Sequence, residues 1–89
     1  MALEVDFVPF ATGSGANVTE QATYIGESTT STGYVSGVAS SADCNKAWRQ
    51  GTVMAAVLAN WIANVLNTNV LDNGELSAQI TLMTSAVTT

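Results

Sequence analysis

The sequence has no histidine, a single cysteine (Cys44), a single proline (Pro9) and two basic residues, Lys46 and Arg49. A lone thiol without histidine excludes an intrachain disulfide and the usual zinc ligand sets, and it removes the commonest general base. Two cations in a chain of net charge -5 cannot neutralise a row of phosphates, so nucleic acid is not expected as a partner. Charge of either sign is scarce: Asp, Glu, Lys and Arg make up 10% of the chain, against about 25% in ordinary soluble domains. The longest apolar run, residues 53–59, stops at Asn60 and falls short of the roughly 18 residues that a membrane span requires. The start, Met1-Ala2-Leu3-Glu4-Val5-Asp6, is acidic where a secretory signal is basic. No membrane partner and no secretion are therefore expected.

What is present is apolar surface: 47% of the 89 residues are hydrophobic. A chain this short buries only about 60–65% of the surface it exposes when unfolded, so its own core is marginal. With neither disulfide nor metal to staple it, oligomerisation is the remaining way to cover that surface.

Along the chain, three segments are expected: an extended arm over 1–18, a short helix and loop over 19–39, and a helical hairpin over 40–89 that carries oligomerisation. In the arm, alternation puts Leu3, Val5 and Phe7 on one face and Glu4 and Asp6 on the other, with Pro9 and Phe10 beyond. Such a strand needs a partner, and a sheet or groove on a neighbouring chain is the expected one. The Gly13-Ser14-Gly15 turn lacks the lysine and the third glycine of a phosphate loop. Thr19 is placed to cap a short helix carrying Ala22, Tyr24 and Ile25, and residues 26–37 read as a loop that covers a helix face through Tyr34 and Val35.

Ser40 and Asp43 have capping-box spacing, which starts a helix running to about Leu66. On it Cys44, Trp48, Gly51, Ala55, Leu58, Ile62 and Val65 recur at alternating steps of four and three, the seam of a helical bundle. Trp48, Gly51, Ala55, Leu58, Ile62 and Val65 are the expected oligomer interface, widened by Ala47, Met54, Val57 and Trp61. Gly51 within a seam points to close approach, either by another helix or by the Trp48 ring. Asn67-Thr68-Asn69 ends this helix. Asp72 and Glu75, again at capping-box spacing, begin a second, antiparallel one whose apolar stripe is Leu76, Ile80, Met83 and Val87.

For chemistry the sequence offers dispersed acids and no nucleophile beside a base, so no enzyme, no metal and no cofactor is expected. Cys44 on the seam reads as a small buried hydrophobe. Asp72, Asn73 and Glu75 lack calcium-loop spacing, and capping accounts for the two acids. The most distinctive cluster is Asn45, Lys46, Arg49 and Gln50. It contains all the positive charge of the chain, and Lys46 and Arg49 lie three apart on one helix face. A solvated face is one reading; a charge-assisted contact with a neighbour's carboxylate is the other.

Several short stretches, taken in order, resemble the N-terminal virion-attachment modules of bacteriophage tail-fibre and tail-appendage proteins. They are Phe10-Ala11-Thr12-Gly13 with Gly15-Ala16-Asn17-Val18, Gly37-Val38-Ala39 with Ser41, Asn45-Lys46 with Trp48-Arg49-Gln50, and Val70-Leu71-Asp72 with Gly74. The resemblance spans residues 10–75, and the long receptor-binding region of that family has no counterpart here. It implies a structural protein made in the host cytoplasm and located in the virion, at the tail or head-tail region. It also implies a homotrimer, with the arm reaching a tail, adaptor or capsid protein. The fold expected on all these grounds is mainly α: an arm and loop, a long helix and a shorter antiparallel helix, packed as an oligomeric bundle. Two other functions fit the same residues, a capsid decoration or cement protein and a small non-virion regulator that binds another protein.

Overall fold

The structure is a computed structural model that describes residues 3–35 and 37–89; the first two residues of the arm and Ser36 of the loop lie outside them. It is mainly helical, with no strand among the described residues. Among the described residues four helices follow in order: α1 (Gln21–Ile25), α2 (Thr29–Thr32), α3 (Ser41–Leu66) and α4 (Leu76–Val87). The chain divides into two units, one of Met1–Pro9 with Thr52–Thr89 and one of Phe10–Gly51, so α3 contributes to both.

The ends of α3 follow from local chemistry. Ser40 Oγ accepts the Asp43 N–H at 3.3 Å, which is half of the expected capping box. The other half does not form, because the Asp43 carboxylate is engaged by residues 19 and 27. At the far end Asn67 takes a left-handed conformation (φ 52°), and the Thr68 N–H reaches back to the Ala63 carbonyl at 3.2 Å, closing the helix with a Schellman-type bond.

The start of α4 differs from expectation. The helix begins at Leu76, with Glu75 at its cap and no side-chain capping bond. The Asp72 N–H donates instead to Asp6, and Asn73 Oδ1 accepts the Glu75 N–H at 3.1 Å in a local Asx turn. The α1 cap is likewise Glu20 without a side-chain bond, since the Thr19 hydroxyl is spent on Asp43. The expected loop 26–37 contains the single turn α2, and Val35 is exposed rather than laid on a helix.

In the first unit α3 and α4 pack together. Their shared core is small in number and in side-chain size: Ala59, Ile62, Ala63, Val70 and Ala86, with Leu66 and Leu82 partly buried against it. Leu3, Val5 and Phe7 complete it from the arm. The arm runs parallel to the connection between the helices through a bridge of Val5 with Val70. The Val70 N–H donates to the Glu4 carbonyl and the Asp6 N–H to the Val70 carbonyl, each at 2.9 Å. The expected alternation is present, with Glu4 and Asp6 outward, but the partner is this chain's own residues 69–72.

Candidate functional site

Which faces of α3 and α4 are covered decides what the first unit offers to others. The inward face of α3 is made by Ala56, Ala59, Ile62 and Ala63, and that of α4 by Ala86 with partly buried Gln79 and Leu82. Most of the large apolar side chains of the two helices are left outside. On α3 these are Met54, Val57, Leu58, Trp61 and Val65, between 37% and 65% exposed. They fall at i, i+3, i+4, i+7 and i+11, a single stripe turned away from the alanine face. On α4 the outward stripe is Leu76, Ile80, Met83 and Val87, between 38% and 74% exposed. The hairpin thus buries chiefly alanines around Ile62 and Val70 and leaves most of its other large apolar side chains outside.

The expected interface is therefore corrected in part. Ile62 lies in the chain's own core and is 4% exposed, so it is not on an outer surface. Ala55, Leu58 and Ile62 line an open groove together with Phe7, Gln79 and Met83, so that part of the seam borders α4 and the arm of the same chain while Ala55 and Leu58 stay exposed. Leu58 and Val65 remain accessible, and the flanking residues Met54, Val57 and Trp61 form most of the exposed stripe. A β-carbon at Gly51 would meet nothing within 4 Å, so the Trp48 ring does not use that space. The α4 stripe read from the sequence is real, but it faces outward.

The second unit absorbs the polar cluster. Asn45 Nδ2 donates to the Asn17 carbonyl at 2.9 Å, and Gln50 Nε2 to Gln21 Oε1 at 3.4 Å. Lys46 is buried, with its ammonium 5.9 Å from the centroid of the Tyr24 ring, a cation–π contact at the outer limit of the range. Three of the four residues expected to present themselves to a neighbour thus hold residues 17–24 against the start of α3. Phe10, expected to bind a partner, meets Trp48 edge-to-face with ring centroids 5.7 Å apart. Val8 and Pro9 are the exposed end of the arm.

Asp43 is the polar centre of this unit. Its carboxylate accepts a hydrogen bond from the Thr19 hydroxyl and shares another with the Glu27 carboxyl. The pairing with Asp43, then burial, raises the Glu27 pKa, while the bonds from Glu27 and Thr19 hold Asp43 below the usual carboxylate range. No spacing signal links two acids on separate elements, and the sequence reading had them dispersed. Beside them the Tyr34 hydroxyl lies against Cys44, and its pKa is pushed up to about 12, chiefly by burial and then by the thiol. This arrangement cross-links the loop to α3. Nothing nucleophilic is activated by it, and among the described residues no group of three or more Cys, Asp or Glu is placed to hold a metal ion.

No helix among the described residues is long and apolar enough to cross a membrane. In comparisons with known proteins the chain matches no family model, no curated protein and no solved structure.

Proposed function

We propose that this chain is a structural assembly protein of a bacteriophage virion, a tail-fibre or tail-appendage component that forms a trimer and anchors to a tail, adaptor or capsid protein. The observation that carries the assembly half is the inverted hairpin, with an alanine-rich core inside and two stripes of large apolar side chains outside. Neither helix offers charge to keep those stripes in water: residues 50–71 and all of α4 carry no Asp, Glu, Lys or Arg. A surface of this kind gains free energy by association. The virion half rests on the sequence resemblance over residues 10–75.

The arm has a changed part in this reading. Its apolar face completes the chain's own core, so anchoring falls to surfaces other than Leu3, Val5 and Phe7. The test is quantitative protein analysis of purified particles of the source virus, followed by localisation in them by cryo-electron microscopy. Stoichiometric presence at the tail supports the proposal. Presence on the shell would make it a capsid decoration protein, and absence from the particle would leave only an assembly or regulatory role outside the virion.

A further inference from the structure

We propose that the N-terminal arm is exchanged between copies of this chain: Leu3, Val5 and Phe7 of one copy fill the place beside residues 69–72 of another, with Ala11 as the hinge. The proposal rests on the assembly reading and deepens it, since it names a segment that one copy lends to the next.

The arm is held as a separable piece. Its apolar residues pack against a core that the hairpin and its connection supply, Ala59, Ile62, Ala63, Val70 and Ala86. The polar contacts are the bridge of Val5 with Val70, the Glu4 N–H donated to Asn69 Oδ1 at 2.8 Å and the Asp72 N–H donated to Asp6 Oδ2 at 2.9 Å. Each of these joins residues 3–7 to the hairpin unit, so the arm of a second copy can make every one of them unchanged. The groove beside Phe7 is open, which gives such an arm a way in.

The junction after the arm favours exchange. Val8, Pro9 and Phe10 are exposed, and the division between the two units falls between Pro9 and Phe10. Pro9 fixes its own φ and keeps Val8 extended, so the arm ends in a stiff strand rather than a slack tether. Ala11 then adopts φ 58°, a left-handed value that is unfavourable for alanine because its β-carbon crowds the following carbonyl oxygen. Opening the chain at Ala11 relieves that strain. The Phe10–Trp48 ring contact lies on the arm's side of the hinge and is the one that must be remade. Within an assembly the neighbouring arms are at high effective concentration, so exchange competes with closure there, whereas a dissociated chain closes its arm on itself.

The test uses full-length chains with Cys44→Ser, Val5→Cys and Val70→Cys combined, which leaves no other thiol. Paired strands lie about 4.8 Å apart, within the span of a disulfide, so oxidation closes the bridge. Native mass is measured by light scattering under reduction, and the oxidised chains are then separated on a denaturing gel. Exchange gives chains linked to one another, and an arm closed on its own chain gives single chains. Adding Ala11→Gly relieves the closed turn and should lower the ratio of linked to single chains about fivefold. An unchanged ratio overturns the hinge. The same contact is read without substitution by isotope-filtered NMR on wild-type chains, half carbon-13-labelled and half unlabelled, refolded together. Interchain signals between Val5 or Phe7 and Val70 support the proposal even if the cysteine variant fails to fold. An oligomer with intrachain links and intrachain signals alone overturns it and leaves the assembly reading standing. A wild-type mass of one chain overturns both.

Discussion

Val5 and Val70 face each other in a parallel bridge whose two backbone hydrogen bonds, each 2.9 Å, tie the N-terminal arm to the connection between the two main helices. Val70 is also the largest fully buried side chain, so this one pairing closes the backbone of the arm and the bottom of a small core together. Val70→Ala is expected to destabilise the chain by about 2 kcal/mol, for the lost methyl groups and the gap they leave. Ile25→Ala, at an exposed position, should change stability by less than about 0.5 kcal/mol. Urea unfolding of both variants checks the contrast, and deletion of residues 1–9 should cost more than either because it removes Leu3, Val5 and Phe7 from the core.

The opposite shifts of Glu27 and Asp43 make stability depend on pH in a defined direction. The raised Glu27 contributes stability that is complete below its ordinary value of about 4.3 and is lost as pH rises through its folded value. The lowered Asp43 contributes stability present above its ordinary value of about 3.9 and lost as pH falls through its folded value. The pair is best satisfied between those two folded values, and its contribution declines as pH rises through that of Glu27. Glu27→Gln keeps an uncharged hydrogen-bond donor, so it should remove that decline and be the more stable chain at neutral pH. Denaturation midpoints across the pH range measure this, and a wild-type advantage at neutral pH would contradict it.

Gly51 lies within α3 in open space. Gly51→Ala is expected to stabilise the chain by about 1 kcal/mol through helix propensity alone. Because Gly51 lies seven residues before Leu58, on the same side of α3, the mass of the assembly is measured alongside. A fall in oligomeric mass would return Gly51 to the interface read from the sequence.

Lys46 packs its stem in the second unit and sets its charge over Tyr24. Lys46→Met keeps the stem and should cost no more than about 1 kcal/mol, the worth of the cation–π contact. Lys46→Glu places an unpaired acid in a buried position three residues from Asp43 and should cost more than about 2 kcal/mol. Equal effects of the two would mean that Lys46 acts through solvent rather than through this packing.

The ends of the elements were legible because short-range chemistry sets them. The Ser40 cap, the halt at Asn67 and the alternation of Leu3, Val5 and Phe7 each depend on a few neighbouring residues. The inward face of α3 was not legible. Periodicity locates a buried face by contrast with polar residues, and from Val53 to Leu66 the only polar side chains are Asn60 and Asn64. The heptad spacing found Ile62 but passed over Ala56, Ala59 and Ala63, which make up the rest of the buried face. The pairs Val5–Val70 and Glu27–Asp43 leave no local trace, since each is created only when distant segments meet. The polar cluster at 45–50 stood out by composition, yet three of its members contact residues 17–24 of the same unit.

The central claim, that copies of this chain associate through an inverted hairpin, is tested most directly by the mass of the purified protein in solution. Light scattering on the wild-type chain and on Trp61→Glu, with helicity confirmed for both, is the measurement. The account predicts a multiple of the 9.2 kDa chain for the wild type, three copies in the trimeric form, and a single chain for Trp61→Glu. A wild-type mass of one chain at high concentration would contradict it.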